Sequence, residues 1–169
     1  MGSLQFEPLV VFESARSVAL LSGGALVSVR RGAYTAAELE ALRGALAAAA
    51  PAHPRGFVSL TTFRLDRTFP LAVEDATELG ALVDAARALD PLLAAVASVV
   101  EFGGVRAAAM QLASSAVWRL ARPRAVLGQF ETLTDALVWL GPHAQRIGAL
   151  EAPADYVRLH RECERRMMR

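Results

Sequence analysis

Residues 124–141 read Arg-Ala-Val-Leu-Gly-Gln-Phe-Glu-Thr-Leu-Thr-Asp-Ala-Leu-Val-Trp-Leu-Gly, and this stretch constrains the fold more than any other. A short apolar run leads into a hydroxyl that can cap a helix, then into a brief amphipathic helix and a Gly141-Pro142 stop. It is the last turn of a strand-then-helix rhythm that runs through most of the chain. Upstream, residues 9–13, 17–22 and 25–30 read as short strands, the last two joined by Gly23-Gly24. Two glycines in a two-residue turn predict a hairpin, because type I′ geometry needs positive φ at both positions. Thr35-Ala-Ala-Glu38 is a capping box opening a helix with Leu39, Leu42 and Leu46 on one face, stopped before Pro51.

Residues 56–63 then predict a strand, and a helix is expected from about 71 to 89. The run 92–102 is apolar until Glu101, as a strand buried on both faces would be. A helix over 105–121 ends before Pro123, a strand over 125–130 follows, and Thr132 caps the next helix. A meander followed by repeated helix-strand pairs predicts an α/β fold with a mixed sheet whose later strands are parallel. The expected domain spans 1–142. Residues 143–169 read as a linker and an appended basic amphipathic helix starting at Pro153.

Composition narrows the function classes. An apolar fraction of 54% lets 169 residues build a core without metal or disulfide, and a single cysteine excludes an internal bridge. All 18 basic residues are arginine, a bias that a GC-rich genome explains, and the net charge of +1 argues against a general polyanion surface. The longest uncharged apolar run, 92–100, falls far short of the roughly 20 residues a spanning helix needs. No basic start with an apolar signal follows Met1, so a cytoplasmic location is expected.

Chemical motifs are sparse. There is no Gly-x-Ser-x-Gly elbow, and no lysine for a phosphate loop. Gly103-Gly104 reads as a turn, Ser114-Ser115 as small residues for helix packing, and Trp118 and Trp139 as core or half-buried caps. His160 and Cys163, with Glu164 beside them, share a helix face but supply too few ligands for zinc, so no metal or cofactor is expected. Tyr156, Val157, His160, Cys163 and Met167 trace a stripe suited to docking on this domain, on a second copy or on another protein. Arg158, Arg161, Arg165, Arg166 and Arg169 are interrupted by Glu162 and Glu164 and have no aromatic residues interleaved, so nucleic acid is not expected as a partner. No nucleophile, base and orienting group assemble along the sequence, and an enzyme is not expected.

The order of elements, the Arg122-Pro123 helix end and the Ala-x-x-Trp-Leu ending at 136–140 resemble the STAS-like domains. These form the fold of bacterial anti-sigma-factor antagonists and sulfate-transporter tails, and the resemblance is nearest to small stand-alone members from myxobacteria and their relatives. It covers roughly residues 9–141 and implies a non-enzymatic, regulatory, protein-binding module. Such domains carry a switch serine within Asp-Ser-Ser-Gly at the start of a helix. Here that stretch, 69–78, reads Phe-Pro-Leu-Ala-Val-Glu-Asp-Ala-Thr-Glu, and neither Thr68 nor Thr77 matches the position.

The surface implied is Arg64, Asp66, Arg67, Thr68, Glu74, Asp75 and Glu78, with the tail stripe Tyr156, His160, Cys163 and Met167 tuning assembly. The partner expected is another protein or a second copy of the chain. Glu74 and Asp75 also suit a helix N-terminus through its dipole alone. The second reading is an apolar small-molecule or lipid-binding domain, motivated by the unusually apolar helices.

Overall fold

The computed structural model describes residues 7–64, 76–101, 105–149 and 152–169. Three strands open the chain: β1 (Leu9–Glu13), β2 (Ser17–Ser22) and β3 (Ala25–Arg30), paired antiparallel. Gly23 and Gly24 take φ values of 51° and 78°, the left-handed pair that turns β2 tightly into β3. Helix α1 (Ala36–Ala49) follows the capping box of Thr35 and Glu38, both halves of which form. Thereafter β4 (Phe57–Phe63), α2 (Ala76–Leu89), β5 (Leu93–Val100), α3 (Val105–Ala121) and β6 (Val126–Phe130) alternate. Strands β3 to β6 pair in parallel, each with the next, so the six strands lie in sequence order across one mixed sheet.

The sheet is covered on both faces, and strand period two explains which residue goes where. Ala19, Leu21, Leu26 and Phe57 point to one side, against Leu39, Leu42 and Leu46 of α1 and Leu82, Ala86 and Leu89 of α2. Val18, Leu20, Val27, Val29, Val58, Leu60, Ala95, Ala97 and Val99 point to the other. That second face is closed by α4 (Leu133–Ile147) and α5 (Pro153–Met167). Burial on both sides is why β2 to β5 are written almost without alternation. Asp90 pins the last crossover: its buried carboxylate accepts the backbone N–H of Arg124 at 2.8 Å and of Ala125 at 3.0 Å.

Two departures from the sequence reading are physical. The Gly141-Pro142 stop does not form, and α4 runs through it to Ile147. Leu140 and Ala144 on either side are buried, which holds the helix to the sheet. The one bond Pro142 deletes would end on Val138, a residue 74% exposed, where water can take the carbonyl. The helix closes instead at Gly148, φ 70°, with the Ala149 N–H donating to the Ala144 carbonyl at 2.9 Å. Strand β5 ends at Val100, earlier than expected, and the first residues expected of α2, 71–75, lie outside the described residues.

Candidate functional site

β4 and β5 end side by side, with Phe63 opposite Val100, so Arg64 and Glu101 leave the sheet as neighbours. In open α/β sheets ligands bind outside the carboxyl ends of the strands. Helix α5 crosses the same edge. Its stripe Tyr156, Leu159, His160, Cys163 and Met167 recurs at three and four residues and faces the sheet. That orientation puts Glu164, one turn beyond His160, over the strand ends.

The polar groups of the two layers interlock there. Arg64 lies 3.5 Å (Nε) from Glu101 Oε2 and also pairs through Nη2 with Glu164 Oε1. Glu164 Oε1 is 3.7 Å from His160 Nδ1, and His160 Nε2 shares a 3.0 Å hydrogen bond with Thr62 Oγ1. Thr62 and His160 are buried, whereas Arg64 is 45% exposed. Burial pushes the His160 pKa below its ordinary 6.5; the charges of Glu164 and Glu101 oppose the shift and that of Arg64 adds to it. The imidazole is therefore held neutral under an arginine already neutralised by two carboxylates.

Arg64 and His160, 96 residues apart in the chain, are thus brought to one edge. Tyr156, Cys163 and Met167 are not on the surface. They are buried against the chain's own sheet, which takes the docking that the stripe was expected to provide. Cys163 Sγ points to the Val27 carbonyl at 3.5 Å, and burial pushes its thiol up to about 12, far from thiolate chemistry. Burial likewise raises the Tyr156 phenol. Among the described residues no group of three His, Cys, Asp or Glu could hold a metal. Glu78 is exposed in the first turn of α2. Asp66, Arg67, Thr68, Glu74 and Asp75 lie outside the described residues, as do Gly103 and Gly104.

A second polar feature escaped the sequence reading. Ser28, Thr61, Ser98 and Gln129 pair in register across β3, β4, β5 and β6, a polar row under α1 to α3. At one end Ser28, Thr61 and the Tyr34 hydroxyl form a triangle with sides of 2.9 to 3.0 Å. At the other, Gln129 Nε2 donates to Ser115 Oγ at 2.8 Å. Next to the triangle, buried Arg30 donates to the carbonyls of Gly32 and Ala33 and to Glu38 Oε2, with its guanidinium 3.6 Å above the Tyr34 ring. Glu38 also accepts the Ser17 hydroxyl. The local signal was weak: Ser98 is the lone polar residue of β5, but β3 also carries Arg30 and β4 also carries Ser59 and Thr62. It becomes legible only once the strands are laid in register.

The chain matches no protein-family model, no curated protein and no solved structure.

Proposed function

We propose that this protein is a non-enzymatic STAS-like module, regulatory in role and cytoplasmic in a bacterial cell, that acts by binding another protein. The binding surface in this reading is the carboxyl edge of the parallel strands, centred on Arg64. What supports it is the convergence of Arg64, Glu101, Glu164 and His160 at that edge, where a half-exposed arginine is poised between carboxylates from two elements. A partner carboxylate can replace either of them on the guanidinium, which makes the edge responsive to a binding partner and to the seating of α5. The absence of an Asp-Ser-Ser-Gly motif means that, in this reading, the contact is not switched by phosphorylation at the position the resemblance would assign.

The row Thr62, His160, Glu164 has the order of a nucleophile, a base and an orienting acid, yet its geometry favours a structural role. The Thr62 hydroxyl is buried at 0% residue exposure, and the imidazole-to-carboxylate distance of 3.7 Å exceeds a hydrogen bond. The test is affinity capture from the source cells with the wild type and with Arg64→Glu in parallel. A protein retained by the wild type and lost with Arg64→Glu supports the reading; equal recovery of every protein by both overturns it.

A further inference from the structure

Helix α3 lies along α2, and it leaves part of the sheet beneath it open on the β6 side: Leu127 stays 39% exposed. Between α3 and strands β5 and β6 there is a cleft of about 170 Å³. Its walls are apolar, made by Val96, Leu127 and the indole of Trp118, and its floor carries Ser98 and Gln129 of the polar row. Arg119 is exposed in its lining, and no carboxylate is among the described residues that line it. A smaller, partly open space of about 20 Å³ shares Val96, Ser98 and Trp118 as walls and is also lined by Thr61 and Tyr34.

Ser98 is the informative residue. It is 8% exposed, and its hydroxyl has no hydrogen-bond partner among the described residues, although its neighbours in the row are both engaged. The side chain lines the cleft, where its hydroxyl can bond a polar group that enters. The cavity is close in size to one that takes a benzene ring, about 150 Å³. A ring can lie against Trp118 while an anionic group meets Arg119 and a polar substituent reaches Ser98; Gln129 and Ser115 are already bonded to each other.

We infer that this cleft is a binding site for a single-ring aromatic carboxylate bearing a polar ring substituent, of the hydroxybenzoate class. It lies on the opposite face of the sheet from α5 and does not depend on the protein-binding edge. The carboxylate sits at the Arg119 guanidinium, the ring stacks on the indole, and the ring hydroxyl bonds to Ser98.

The experiment is calorimetric titration of the full chain with 4-hydroxybenzoate, using phenol as the neutral comparison. Saturable binding at one site per chain is expected at millimolar ligand or below. Ser98→Ala should weaken both ligands by about five- to tenfold, and Arg119→Gln, a surface change that leaves the fold intact, should weaken 4-hydroxybenzoate while leaving phenol unaffected. Absence of saturable binding to the wild type, or wild-type affinity in both variants, overturns the inference.

Discussion

Arg30 and Glu38 show how much one charged pair decides. Arg30 is 2% exposed and Glu38 20%, and the pair is tied into Ser17, Tyr34 and the start of α1. Burial works to raise the Glu38 pKa, but the Arg30 charge and the bonds from Ser17, Arg30 and the Thr35 N–H outweigh it and hold the carboxyl below 4.5. A depressed carboxyl contributes stability that is present above that value and lost as pH falls through the folded pKa. Removing one member of a buried pair strands the other, so Glu38→Gln should cost about 3 kcal/mol in urea unfolding at neutral pH. His160 has the opposite charge type, and the sign follows from its own shift. Its folded pKa lies below 6.5, so the unfolded chain binds more protons as pH falls below 6.5, and stability declines there toward the folded pKa. Urea midpoints at about pH 7.5 and 5.5 should show this acid loss, and His160→Gln should flatten it. Cys163, at 0% exposure, should react with a thiol reagent only at the rate of unfolding; fast native modification would contradict the packing of α5. None of these neighbours was legible locally. Glu38 reads as half of a capping box, which it is, but its second partner comes from β3.

Among the elements, those with local instructions were read correctly. The Gly23-Gly24 hairpin, the Thr35 box, the Thr132 cap and Pro153 at the start of α5 each depend on groups within four residues. The end of α4 was misread because it depends on distant contacts. A proline inside a helix costs about 3 kcal/mol in isolation, and the burial of Leu140 and Ala144 is enough to carry the helix across it. Pro142→Ala should therefore raise stability, by about 1–2 kcal/mol after the unfolded chain regains its freedom. Gly148 takes over as the true stop, and Gly148→Ala should cost about 1 kcal/mol because its φ of 70° strains any residue with a Cβ. Thermal unfolding of the two variants checks both signs. The elements also show why the polar row stayed hidden. A serine in an apolar strand says nothing by itself, whereas Ser28, Thr61, Ser98 and Gln129 become one feature when four strands are aligned.

At the scale of the molecule, the tail helix is the deciding part. The sheet presents Val18, Leu20, Val27 and Val29 on the α5 side, and Tyr156, Leu159, Cys163 and Met167 cover that face. Leu159 and Met167 alone bury side chains worth about 1.5–3 kcal/mol each, a large share of the roughly 5–15 kcal/mol by which a domain is stable. A chain truncated after residue 149 should lose cooperative unfolding and bind a hydrophobic dye; a cooperative, dye-free truncation would show that α4 alone suffices. No described helix is long and apolar enough to cross a membrane. By itself the sequence determined the α/β class, the order of elements and most of their ends, because hydrophobic period, capping hydroxyls and turn glycines act over a few residues. Only the tertiary structure decided that α5 closes the second face of the sheet, that Arg64 meets Glu164 across a hundred residues, and that four scattered polar side chains line up beneath α1 to α3. Those depend on strand register and on which apolar face finds which, and such pairings exist only once the whole core has formed.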